Sequence, residues 1–282
     1  MIEDELISRY GKEKVEQWKE AFSKATIQND FVFCKVAGML RNCREILCRI
    51  LGYMIEIKKI TPQASIDNLL HSKAVRLDIL VEDESGNNYD IEMQVVVNDS
   101  ISKRMRIYQA SIDSATFAKG KKYKDAKKTI IIFICMTCPI GLGLPVYTFK
   151  NLCVENPNIE LGDDTLKVIV SPQNWERCKD ERLKALLRYI WDGSKLDEFT
   201  KELDMCVVDI KCDQVIRGES LSYYCELEDA EDRGVERGRA EGRVEGRAEG
   251  ICETARNMRA KSFDISLISE VTGLTIEEIE KL

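Results

Sequence analysis

The chain has 282 residues, 44% of them hydrophobic and 32% charged, with a formal net charge of −7. This is a globular composition with apolar material for a core, and the acidic balance gives no global pull on nucleic acid. The longest unbroken apolar run, residues 130–136, is too short to span a bilayer, and the opening residues lack the basic-then-apolar pattern of a secretory leader, so a cytoplasmic protein with no membrane contact is expected.

Taken in chain order, residues 5–24 read as one charged helix, and residues 29–52 as a pair of helices with Asp30 as the N-cap of the first. "AVRLDILVE" and "YDIEMQVVV" alternate at period two around the turn cluster "DESGNN" and predict a β-hairpin. "SISKRMRIYQASIDSATFAKG" predicts a helix ending at Gly120. "TIIIFICM" reads as a buried strand, and "LPVYTFKN" and "TLKVIVS" as shorter ones. In "DERLKALLRYIWDG", Leu183, Leu186, Leu187, Ile190 and Trp191 form one apolar helical stripe. Helix, hairpin, helix, strand is the order of a mixed α/β sheet with helices packed on it.

Beyond about residue 228 glycines recur at 234, 238, 242, 246 and 250 with Arg and Glu between them, a four-residue repeat that predicts a marginal exposed helix or an arm. The last 32 residues predict a small helical unit in which Thr275 and Glu278 form a capping box. Its acidic final helix favours packing or self-association over reading a DNA groove.

Eleven scattered cysteines read as small buried hydrophobes of a reducing compartment. Cys135 and Cys138 have redox or zinc spacing but no second pair, and His71 is the single histidine, so hydrolysis here would rest on carboxylates and a metal. Residues 102–128 hold nine Lys/Arg against Asp113 and Asp125, a local excess that would steer a polyanion or line a solvated helix face equally well.

The hairpin carries the sharper question. Alternation puts Glu92 and Gln94 on one face of the second strand, and Arg76 and Asp78 on one face of the first, with aliphatic residues behind. A fold about Ser85 pairs residues whose numbers sum to 170, so Asp78 faces Glu92 and Arg76 faces Gln94, while a shift by one residue breaks the pattern. Facing carboxylates repel unless water, a proton or a cation relieves them. Mg²⁺ accepts one or two carboxylates plus water and phosphate, and can activate water for attack on a phosphodiester. On spacing alone an ordinary surface hairpin with a polar outer face is the plainer reading.

Asp, a turn, then E-x-Q on a hairpin preceded by helices resembles the PD-(D/E)xK nucleases. The nearer likeness is to the bacterial PD-(D/E)xK family transposases, the group that includes the recombination-promoting nucleases. "NDFVFCKV", "AVRLDILVEDESGNNYDIEMQ", "KRMRIYQASID", "KGKKYKD" and "IIIFIC…GLPVYTF" carry the resemblance, with Gln where most nucleases of the superfamily have Lys. It implies a restriction-endonuclease-like α/β fold with an α-helical C-terminal extension. It also implies a Mg²⁺- (or Mn²⁺-) dependent DNA endonuclease of low sequence specificity, serving recombination or mobile-element activity. By position Asp78 and Glu92 become metal ligands and, with Gln94, the catalytic set. Arg104 and Tyr108, four residues apart on one helix face, and Lys119, Lys121 and Lys122 become DNA contacts. The chain departs from the family pattern at Cys138, Ile140 and Cys48, the first and last standing where acidic residues are common.

The expected organisation is an N-terminal helix (1–26), a nuclease-like core (27–195), a helical connection (196–228), the repeat arm (229–250) and a helical unit (251–282) through which copies of the chain could associate. The competing expectation keeps the fold and loses the chemistry, leaving a protein that binds DNA or a partner without cutting.

Overall fold

The structure is a computed structural model that describes residues 2–66, 75–96, 100–117, 120–138 and 140–282. His71 and Lys119 lie outside the described residues.

The N-terminal segment forms two helices rather than one, α1 (Ile2–Tyr10) and α2 (Lys12–Lys24), because Gly11 sits at φ +85°, where a helix ends. The next pair is α3 (Asp30–Ala37) and α4 (Leu40–Leu51). The expected cap at Asp30 is corrected: the Asn29 side chain accepts from the Val32 N–H, and Asp30 is the first helical residue. There its charge still suits the positive end of the helix.

Strands β1 (Ile57–Pro62), β2 (Ser65–Ile66), β3 (Val75–Arg76), β4 (Ile79–Asp83) and β5 (Asn88–Gln94) follow. Helix α5 (Ile101–Thr116) then crosses to β6 (Thr129–Cys135), with a single 3₁₀ turn at Tyr123–Asp125 on the way, and β7 (Val146–Phe149) and β8 (Thr165–Val170) complete the strands. Six of them form one mixed sheet in the order β1-β4-β5-β6-β8-β7, while β2 and β3 pair separately. β5, β6 and β8 are parallel and the outer pairings antiparallel. This is the mixed α/β sheet flanked by helices that the sequence predicts.

The segment read as one strand, "AVRLDILVE", breaks at Leu77–Asp78. Its neighbour β1 ends at Pro62, and Gln63, at φ +51°, turns the chain. Residues 75–76 follow that turn into the β2 pair, so Arg76 faces Ser65 and not Gln94. The long helix also stops earlier than expected, at Thr116, where Phe117 leaves helical geometry.

Helix α5 runs back along the sheet and buries Ile101, Met105 and Ile112 against Ile131, Phe133, Cys135 and Ile169. The opposite sheet face presents Ile79, Val81, Ile91, Ile130, Ile132 and Ile134, all buried. Beyond a 3₁₀ segment at Pro172–Arg177, helix α6 (Glu181–Asp192), capped by Asp180, packs on α4, and α7 (Glu198–Cys212) packs on α3. Trp191, expected in the apolar stripe of α6, is exposed at the last turn of that helix. Arg49 ties this layer together. It is buried, bonds Glu45, the Arg182 carbonyl and Asp197, each at 2.7 Å, and stacks over Phe199.

Residues 2–221 form one compact unit and 222–282 a second. Helix α8 (Gln214–Ala260) carries the glycine repeat as continuous exposed helix. Near its end Ala255 packs with Ile268 of α9 (Ile265–Thr272) and Ile279 of α10 (Ile276–Glu280), the last capped by Thr275 and Glu278 as the sequence predicts. No helix among the described residues is long and apolar enough to cross a membrane.

Candidate functional site

The hairpin register obeys the sum of 170: Ile79 pairs with Ile91, Leu80 with Asp90, Val81 with Tyr89. One step further along, Asp78 meets Glu92. The Asp78 N–H donates to Glu92 Oε1 at 2.8 Å, and the Met93 N–H donates to Asp78 Oδ2 at 2.9 Å. Each acid therefore holds the other strand's backbone, and the Asp78 carbonyl accepts from Cys34 Sγ of α3 behind it.

This face is not a solvated outer surface. Asp90, Glu92 and Gln94 lie in register beside Ile131, Phe133 and Cys135, the side on which α5 packs. Glu92 is 2% exposed and Asp90 0%. The sequence reading missed Asp90, although the period-two alternation of "NYDIEMQ" puts it on the Glu92 face. Both its carboxylate oxygens lack a hydrogen-bond donor among the described residues.

Burial raises all three carboxyls. Asp78 is pushed up to about 7, by desolvation first, and the Asp30 charge adds to it, while the Met93 N–H, Arg104 and Arg76 pull it back. Glu92 rises through burial and then through the charges of Asp90 and Asp78, and Asp90 through burial and then Asp78.

Helix α5 brings the compensating cation. Arg104 donates through Nη1 to Gln94 Oε1 at 2.6 Å and through Nη2 to the Tyr108 hydroxyl at 3.1 Å, and its Nη2 lies 3.8 Å from Glu92 Oε2. The guanidinium also rests over the Tyr108 and Phe133 rings. Gln94 donates in turn to Glu92 Oε2 at 3.4 Å. Arg104, Gln94, Glu92 and Asp78 thus form one chain of polar contacts.

The donor set is hard oxygen, with an orphaned buried carboxylate behind two facing ones, which suits a hard divalent ion such as Mg²⁺ or Mn²⁺. Among the described residues no three His, Cys, Asp or Glu side chains are already drawn together as a cage. Two carboxylates completed by water and phosphate is the pattern that Mg²⁺ takes in phosphoryl-transfer sites. Cys135, nearby in the core, has its thiol pushed up to about 12 by burial, which makes it a poor nucleophile or redox centre.

The basic stretch is divided. Arg104 is at the carboxylates, but Lys121 and Lys122 follow the far end of α5, which is about 24 Å long. Lys127 lies against Gly86 in the hairpin turn, the end remote from Asp78 and Glu92.

Neither a search of curated proteins nor a search of solved structures found a match. The segment holding α3, the hairpin, the facing acids and α5, residues 27–138, matches the family model described as PD-(D/E)XK nuclease family transposase.

Proposed function

We propose that the chain is a metal-dependent DNA endonuclease, acting in the cytoplasm with low sequence preference in recombination or mobile-element movement. The observation that carries this reading is the facing of Asp78 and Glu92 beneath a helix that delivers Arg104. Asp78 and Glu92 would hold Mg²⁺ or Mn²⁺, which when bound acidifies water and offsets phosphate charge. Gln94 has its carbonyl held by Arg104, so its amide N–H groups are the ones left to orient Glu92 and a water. Gln94 brings no charge, and Arg104 supplies the cation that a lysine would have carried toward the phosphate. Tyr108 keeps that guanidinium in place. The chemistry belongs to residues 27–195, and the C-terminal unit serves self-association, which the solution mass of a 229–282 deletion tests.

Purified protein is expected to nick supercoiled plasmid with Mg²⁺ or Mn²⁺, and Asp78→Ala is expected to be inactive; equal activity in that variant defeats the assignment. The neutral Gln94 favours a second reading, a protein that binds DNA without cutting. Calorimetry separates the two: the nuclease reading requires divalent-metal binding that Glu92→Ala loses.

A further inference from the structure

At the end of α5 remote from the carboxylates, Tyr123 holds its ring 91% exposed to solvent. A large aromatic ring in water is ordinarily turned inward, yet this one is fixed in place. It sits in a 3₁₀ turn closed by Asp125 N–H to the Lys122 carbonyl (2.8 Å) and Ala126 N–H to the Tyr123 carbonyl (3.1 Å). One ring face stacks on Phe117, with centroids 5.9 Å apart and planes within 8°.

The surroundings match that ring to a nucleotide. Residues 120–128 contain five lysines and one aspartate. Lys121, Lys122, Lys124 and Lys127 are exposed and make no ion pair among the described residues, so their charge is available to phosphate. Beside the ring opens a cavity of about 410 Å³, within the range of small-ligand sites. Phe117 and Tyr123 line it together with the carboxylates of Asp113, Asp125 and Asp163 and with Lys121 and Lys127. The carboxylates can accept N–H groups from the edge of a base, while Lys121 and Lys127 of the wall, with Lys122 and Lys124 beside it, can hold the adjoining phosphates. A paired base inside a duplex has its faces stacked and its Watson–Crick edge engaged, so it cannot enter such a site.

We propose that the Phe117–Tyr123 stack and its lysines form a second DNA site that takes an unpaired base, so that the substrate is DNA with a single-stranded segment. This rests on the reading of the chain as a DNA endonuclease and names its substrate class. Stacking on exposed aromatics beside a basic track is how proteins hold single strands without reading sequence.

The test measures binding in EDTA, which separates it from cleavage. The full chain is titrated into a fluorescein-labelled single strand, the matched duplex and the RNA strand of the same sequence. A single strand bearing 2-aminopurine reports stacking. Tyr123→Ala is expected to weaken single-strand binding about tenfold and to lose the 2-aminopurine quench, with duplex binding unchanged. Tyr123→Phe is expected to keep both. Unchanged single-strand affinity in Tyr123→Ala, an equal loss on duplex, or tighter binding to RNA overturns the proposal. Plasmid nicking is followed in parallel. Tyr123-dependent binding without nicking leaves this site standing and removes the nuclease reading; nicking with no Tyr123-dependent single-strand binding does the reverse.

Discussion

Arg104 Nη1 donates to Gln94 Oε1 at 2.6 Å, so the uncharged side chain beside the facing acids is itself held by a cation from the neighbouring helix. On the proposed reading, the positive charge that the strand lacks is supplied from α5. Arg104 is half-buried, and although burial alone would lower its pKa, the Tyr108 hydroxyl and the Glu92 and Asp78 charges raise it on balance, so it stays ionised.

Arg104→Ala is therefore expected to slow nicking by about 10²–10³-fold, the cost of losing one preorganised electrostatic partner of a developing anion. Arg104→Lys is expected to recover only part of this, because one ammonium cannot reach Gln94 and Tyr108 in the same fork. Single-turnover rates at saturating DNA measure both.

The raised carboxyls predict a stability profile. A folded-state pKa of about 7 for Asp78 lies above its unfolded value, so between about pH 4 and 7 the native state holds a proton that the unfolded chain has lost. Raising the pH through that window removes stability from the metal-free protein. Other carboxylates work the opposite way, Asp197 among them, held low by the Thr200 N–H and hydroxyl and by Arg49 despite its partial burial. The contribution is isolated by difference: Asp78→Asn is expected to gain on the wild type as pH rises from 4 to 7, followed by urea unfolding at each pH.

Asp90 sharpens the same point without the hairpin contacts. It is fully buried and neither oxygen finds a donor, so its ionised form is carried at a cost. Asp90→Asn is expected to raise Tm by a few degrees at pH 8, on the order of 1–3 kcal/mol, and by less as the pH falls, because burial and the Asp78 charge raise the carboxyl and favour its protonated form in the fold. An unchanged Tm at pH 8 contradicts it.

Much of the hairpin was legible because a strand's period of two leaves few registers open. Apolar Ile79, Val81, Ile91 and Met93 had to share a face, and that alone set Asp78 opposite Glu92. Other features answered to distant chain. Whether the acid face met water or a helix depended on α5, which is why Glu92 reads as surface in the sequence and is buried in the fold. The break at Leu77–Asp78 comes from Pro62 and Gln63 on the neighbouring strand, and it took Arg76 away from Gln94. Gly11 announces a helix end by its residue type, but the charged pattern around it reads as continuous. Chain order puts Lys121 and Lys122 after the end of α5, but nothing in their spacing tells that this end lies away from the acids; the parallel crossover to β6 decides that.

A last prediction concerns the layer away from the site. Arg49 is buried among Glu45, the Arg182 carbonyl, Asp197 and the Phe199 ring. Removing it takes the guanidinium from Asp197 and leaves Glu45 with Arg182 alone, both acids being partly exposed, so Arg49→Ala is expected to destabilise the protein by about 2–3 kcal/mol in urea unfolding. Metal affinity measured on the folded fraction is expected to be unchanged, because among the described residues the contacts of Arg49 are to Glu45, Arg182, Asp197 and Phe199 and not to the hairpin acids.

Helix α5 begins at Arg104's turn and ends at Phe117, and its hydrogen-bonded backbone does not stretch. On the proposed reading, with an unpaired base held at one end and the scissile phosphate at the other, it would work as a ruler. The roughly 20 Å between Arg104 and Phe117 corresponds to about six steps of B-form rise, so cuts would fall at a near-constant offset from a single-stranded junction whatever the sequence between. Inserting one helical turn into α5 would then move the cut by one to two nucleotides, and a gel would read that displacement directly.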